Sequence, residues 1–126
     1  MSKGVLSVGQ CVPDHTSISR MLKSRFDVEV VAADKADDAL AALRSGPIDL
    51  VLVNRKLDCD YTDGLEIIKQ IKADATLKDV PCMLVSNYAE HQETAVEAGA
   101  EYGFGKAELE KPETQDRLKL FLSVNV

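Results

Sequence analysis

Short, nearly continuous apolar runs alternate along this chain with stretches whose apolar positions recur every three or four residues. Val5 to Val8 is such a run, stopped by Gly9, and Ile18, Met21 and Leu22 then recur at helical spacing. Val28 to Ala33 is β-branched and strand-like. Asp34 is placed to cap the next helix, whose inner face carries Ala39, Leu40 and Leu43 and which ends at Ser45, Gly46 and Pro47. Ile48 to Val53 is again continuous and apolar. Asp63 and Gly64 open a helix with Leu65, Ile68 and Ile71 inward, and Asp63 is its expected cap. Pro81 introduces the run Cys82 to Val85, Glu90 to Ala98 reads as helix up to Gly99, and Tyr102 to Phe104 is a brief fifth strand. Pro112 suits the first position of a last helix with Leu118, Phe121 and Leu122 inward.

Five strands separated by helices predict an α/β fold, a doubly wound parallel sheet covered on both faces, because strands buried on two sides need unbroken apolar runs. The 126 residues form one domain, 1–126, with no repeat, linker or low-complexity segment. In such a sheet, ligands bind beyond the carboxyl ends of the strands, where the strand order reverses. The positions to inspect are therefore Gly9, Gln10 and Cys11 after the first strand and Asn54 after the third. Ser86 and Asn87 follow the fourth strand, and Lys106 follows the fifth.

That set resembles the response-regulator receiver domain, and the resemblance spans nearly the whole chain. IDLVLVN, Ile48 to Asn54, resembles the strand that ends in the phosphoacceptor aspartate. DGLEIIKQIK, Asp63 to Lys72, resembles the helix that follows it. VPCMLVS, Val80 to Ser86, resembles the strand that ends in a hydroxyl, and AGAEYGFGK, Ala98 to Lys106, resembles the approach to the family's lysine. The resemblance implies a flavodoxin-like five-stranded sheet of order 2-1-3-4-5 and a role in two-component, phosphorelay signal transduction.

The departures fall on the chemistry. Asn54 stands at the phosphoacceptor position, and Gly9 and Gln10 stand where the family has its acidic pair. Mg²⁺ is a hard cation that takes oxygens in an octahedron, usually from carboxylates, and these three positions supply none. An amide is also a poor nucleophile beside a carboxylate. The expectation is that Mg²⁺ binding and aspartyl phosphorylation are lost, that no cofactor is used and that the chain is not an enzyme. Ser86 keeps the hydroxyl and Lys106 keeps the ammonium, which is expected to donate to Asn54 or to backbone carbonyls. Ala107 replaces the proline after the lysine. Gly103 occupies the aromatic-switch position, with Tyr102 and Phe104 directed by alternation to the other face.

The remaining chemistry-bearing residues favour plain readings. Asp58, Asp60 and Asp63 miss the calcium-loop pattern, since its glycine and final glutamate positions hold Asp63 and Lys69. They read as a solvated acidic loop, and rescue of phosphorylation by one of them stays open. Cys11 and Cys59 follow adjacent strands, but a redox pair needs an electropositive setting that the acidic loop does not provide. Cys82 reads as a buried strand residue, and His15 and His91 as surface histidines near helix starts. A net charge of −6 without a basic cluster disfavours direct nucleic-acid binding. No apolar run approaches the ~20 residues of a membrane span, and three cysteines without framework spacing fit a reducing cytoplasm. The expected role is a protein–protein interaction module, its partner a histidine kinase or other signalling protein, or a second copy of the chain. The resemblance implies docking on the face made by the fourth helix, fifth strand and fifth helix.

Overall fold

In the computed structural model, residues 3–124 are described. Strands and helices alternate as β1 (Lys3–Val8), α1 (Val12–Arg25), β2 (Val28–Ala33), α2 (Ala36–Ser45), β3 (Leu50–Asn54), α3 (Gly64–Ala73), β4 (Cys82–Val85), α4 (Ala89–Glu97), β5 (Glu101–Phe104), a 3₁₀ turn at Lys106–Glu108, and α5 (Pro112–Lys119). The five strands form one parallel sheet of order β2-β1-β3-β4-β5. Neighbours on both sides of β1 turn the chain in opposite directions, which leaves a cleft above the carboxyl ends of β1 and β3.

Two apolar layers hold the helices to the sheet. One joins Leu6, Val8, Val51, Val53 and Leu84 to Ile67, Ile68 and Ile71 of α3 and Ala95 of α4. The other joins Val5, Leu50, Leu52, Met83 and Phe104 to Ile18, Met21 and Leu22 of α1 and Leu118 of α5. Burying each of the larger aliphatic side chains stabilises the fold by about 1.5–3 kcal/mol. Val5–Val8 of β1, Leu50–Val53 of β3 and all of β4 are buried without a break, as expected of central strands. In β2 only Ala33 is buried, and Val31 is exposed, because β2 is an edge strand.

The helix ends follow local chemistry, with three corrections to the sequence-based reading. Asp63 does cap α3, its Oδ1 accepting from Leu65 N–H at 3.0 Å. Asp34 caps nothing: α2 starts one residue later, with Lys35 at the cap position and no side-chain bond there. Its first turn instead carries Asp37 and Asp38, which complement the helix dipole. In α3 it is Ile67 that joins Ile68 and Ile71 in full burial, while Leu65 is only partly covered. In α5 Phe121 likewise lies past the helix end and is partly buried.

Strand β5 departs from simple pairing. Met83 pairs with Glu101 and Val85 with Phe104, so β5 spends one more residue than β4 over the same length. Gly103 lies inside this irregularity. A Cβ on it would collide with the Leu84 carbonyl oxygen and meet Gln92 Oε1 at 3.1 Å. Phe104 points into the α1/α5 layer, and Tyr102 lies under the Arg117 guanidinium at 4.6 Å.

Candidate functional site

The loops after β1, β3, β4 and β5 meet at one end of the sheet, as the sequence implies. Gly9 has φ +73°, a conformation that side-chain-bearing residues rarely adopt. The space its Cβ would fill is occupied by Leu57, whose Cδ2 would clash with it and whose Cα and Cβ lie 3.1 and 3.2 Å away. Leu57 is buried and belongs to the apolar layer. The loop after β3 thus folds back as an apolar plug over the end of β1, and Asp58 N–H donates to Gly9 O at 2.9 Å to hold it there.

Asn54 completes this seam. Its Nδ2 donates to Gly9 O at 3.1 Å and to Lys56 O at 2.7 Å. Both partners are carbonyl acceptors, so the position is built for an amide donor and would oppose a carboxylate. Gln10 folds back on its own strand, Nε2 to Val8 O at 3.5 Å, with its Oε1 buried and without a donor. One neutral oxygen beside an apolar plug does not suit Mg²⁺. Among the described residues no group of three or more His, Cys, Asp or Glu side chains is placed to hold a metal ion.

Lys106 does not reach Asn54. It pairs with Asp14 in the first turn of α1, Nζ to Oδ2 at 2.5 Å. This corrects the expectation that Lys106 donates to Asn54 or to carbonyls. The Lys106 contact holds the Asp14 carboxyl below the usual carboxylate range, with a smaller contribution from Cys11. Asp14 carries no sequence signal of its own, since only the fold brings α1 against the turn after β5. The peptide bonds of the described residues, Lys106–Ala107 included, are trans.

Ser86 is buried, and its hydroxyl lies 2.8 Å from His91 Nδ1 while accepting from Tyr88 N–H at 3.3 Å. His91, read from sequence as a surface residue, is half-buried and stacks edge-on with Tyr88. Gln92, which the sequence analysis passed over, is buried on α4. Its Nε2 donates to Leu84 O at 2.9 Å and Ser86 O at 3.1 Å, and its Oε1 accepts from Gly103 N–H at 2.8 Å. One side chain therefore ties α4 to β4 and β5, in contact with the glycine at the aromatic-switch position.

The acidic loop is occupied with local turns. Asp60 Oδ1 accepts from Thr62 N–H at 3.0 Å, and the Thr62 hydroxyl and amide hold that carboxyl low. Tyr61 takes a left-handed φ of 61°, and Asp58 is exposed. Cys59 Sγ approaches Asp34 O at 3.4 Å, and its thiol is pushed up by desolvation and then by Asp60, which disfavours a reactive thiolate. Cys11 sits instead beside Asp14, and neither thiol is in a disulfide. Burial pushes the Cys82 thiol up to about 11.

A five-stranded parallel sheet of this order, with its loop cluster over β1 and β3, defines the flavodoxin-like receiver class. The chain belongs to the response regulator receiver domain family, whose model matches residues 11–122, and it is a receiver domain of two-component signal transduction. The receiver domain of NtrX from Brucella abortus is 28% identical with a TM-score of 0.70, over 92% of this chain and 92% of that one. Against a longer NtrX structure, also 28% identical with a TM-score of 0.71, the match covers 95% of this chain but only 25% of the other. The fold is shared with the phosphorylated cyanobacterial phytochrome response regulator RcpA (22% identity, TM-score 0.72, 95% and 91% covered) and with the chemotaxis regulator CheY4 of Vibrio cholerae (20%, 0.70, 95% and 95%). No curated protein sequence matches the chain. No helix among the described residues is long and apolar enough to cross a membrane.

Proposed function

We propose that this chain is a receiver domain that works without a phosphoryl group, as a protein-interaction module with a fixed docking face. The observation that carries this reading is the packing of Leu57 against Gly9, with Asn54 donating to Gly9 O and Lys56 O. Phosphoryl transfer depends on a metal and cationic groups to neutralise developing charge, and on a nucleophile in line. Here Leu57 packs against the backbone of Gly9, one of the two acid positions, an amide stands in place of the nucleophile, and the lysine is paired with Asp14. The chain is accordingly neither an enzyme nor a Mg²⁺ protein.

The output side supports the same conclusion. A phosphorylation switch needs two arrangements of α4 and β5 that a ligand can favour differently. Gln92 holds one arrangement with three hydrogen bonds, and Gly103 has no ring to rotate. The face of α4, β5 and α5 then stays constant and presents Val96, Tyr102 and Leu120 to solvent. Its partner is a histidine kinase, another signalling protein or a second copy of the chain.

An amide-resonance titration with Mg²⁺ tests the reading. Resonances of Gly9, Gln10 and Asn54 are expected to stay in place up to millimolar metal, and saturable shifts at those three residues would refute it.

A further inference from the structure

At the end of the sheet opposite the Gly9–Asn54 seam, a cleft of about 290 Å³ opens between the last turns of α1 and α5. It is lined by Ser24, Arg25, Phe26, Gln115, Lys119 and Val124. Phe26 and Val124 supply its apolar wall. They pair across an antiparallel bridge, and Asp27 N–H donates to Ser123 O at 2.9 Å beside it. Gln115 is only 7% exposed. Its Nε2 donates to Leu109 O at 2.8 Å, but its Oε1 is buried and has no donor among the described residues. A buried acceptor left unpaired costs stability, so it marks a place where something else donates. The cleft holds many times the ~30 Å³ share of one water, so a single bridging water does not fill it.

The charges around the cleft are of both signs. Arg25 and Lys119 stand in the last turns of α1 and α5. Arg25 pairs with Glu110 at 2.6 Å and Lys119 with Asp116 at 3.7 Å, and neither acid lines the cleft. Exposed pairs of this kind hold their cations weakly. The same two helix ends bring the negative ends of their dipoles to this side of the molecule.

We propose that this cleft binds a small zwitterion of the amino-acid class that carries an apolar side chain. Its carboxylate takes the fork of the Arg25 guanidinium and the point charge of Lys119. Its ammonium supplies the donor that Gln115 Oε1 lacks, at helix ends that favour a cation. Its side chain covers Phe26 and Val124. A plain carboxylate would leave Oε1 unpaired, and a plain amine would meet two cations without a counter-charge. The volume lies just under the ~300 Å³ at which drug-sized ligand pockets begin, which suits one amino acid and not a nucleotide. No bond is made or broken, so the ligand is held at equilibrium.

The test is an amide-resonance titration of the whole chain with L-leucine, against 4-methylpentanoate, which lacks the ammonium, and 3-methylbutylamine, which lacks the carboxylate. Saturable shifts at Arg25, Gln115, Lys119 and Val124 are expected with leucine, and binding about tenfold weaker with either partial probe, the loss of a charge-assisted hydrogen bond. Gln115→Met should weaken leucine about tenfold and leave 4-methylpentanoate within about twofold. Arg25→Gln should weaken both acids alike. Lys69→Gln, the same charge change on exposed α3 across the sheet, should alter neither by more than about twofold. Amide dispersion of each variant reports that it is folded. Absence of saturation with leucine, equal binding of the three probes, or a Gln115→Met variant that keeps leucine's advantage over 4-methylpentanoate would overturn the proposal. The cleft and the seam share no residue, so the outcome is independent of whether the domain takes a phosphoryl group.

Discussion

Leu57 and Gly9 fit together as plug and socket: the leucine side chain fills the space that any side chain at position 9 would need. Restoring an acid there is therefore costly. Gly9→Asp meets both the positive φ and the buried leucine, and each of strain and overpacking costs about 1–3 kcal/mol. Urea unfolding should show a loss in that range or above it, with no gain in Mg²⁺ affinity. A variant as stable as the parent would mean that the loop after β3 moves aside freely.

Asn54→Asp should destabilise by about 1–3 kcal/mol near neutral pH, because a carboxylate would face two carbonyl oxygens in place of the amide donor. The same surroundings should raise the new carboxyl's folded-state pKa above its unfolded value. Its stabilising contribution is then present below the unfolded pKa and lost as pH rises through the folded pKa. The stability gap to the parent should narrow in acid, and a gap that widens there would contradict this account of the seam.

Gln92→Leu removes the side-chain acceptor of Gly103 N–H and the side-chain donor to the Leu84 and Ser86 carbonyl oxygens. A cost of about 2–4 kcal/mol is expected. Native-state hydrogen exchange should show faster exchange at Gly103 and in the first turns of α4. Unchanged protection there would remove the clamp from the argument for a fixed docking face.

Asp14 titrates below the ordinary carboxylate range because of Lys106. The ion pair contributes stability above the unfolded carboxyl's pKa, and that contribution is lost as pH falls through the depressed folded-state value. Both partners are about one-third exposed, so the stabilisation is below ~1 kcal/mol. In Lys106→Ala the Asp14 carboxyl resonance should titrate closer to 3.8, the unperturbed value. Asp74, held to about 2 first by the Thr76 hydroxyl and amide and then by Arg44, serves as the internal control and should not move. An unchanged Asp14 titration would mean that the pair does not persist in solution.

The sequence makes the sheet legible because central parallel strands are buried on both faces and leave unbroken apolar runs, as in Leu50 to Val53 and Cys82 to Val85. It also brings Gly9, Asn54, Ser86 and Lys106 to the same end of the sheet through connectivity alone. What it hides are contacts between elements far apart in the chain. The Asp14–Lys106 pair joins α1 to the turn after β5, and Gln92 reaches across β4 to Gly103. Leu57 reads as an ordinary loop residue until the loop folds back on Gly9. One signal was available for that contact: a glycine at an acid position permits a close approach that no other residue would. Asp34 misled for a local reason, since a capping residue type next to a helix does not fix where the helix begins.

The central claim is that this receiver domain accepts no phosphoryl group. Intact-mass spectrometry after incubation with Mg²⁺ and a small-molecule phosphodonor tests it most directly, with peptide mapping across residues 54–63. The account predicts an unchanged mass. A covalent phosphoryl adduct, mapped to Asp58, Asp60 or Asp63, would contradict it and make the acidic loop the phosphoacceptor.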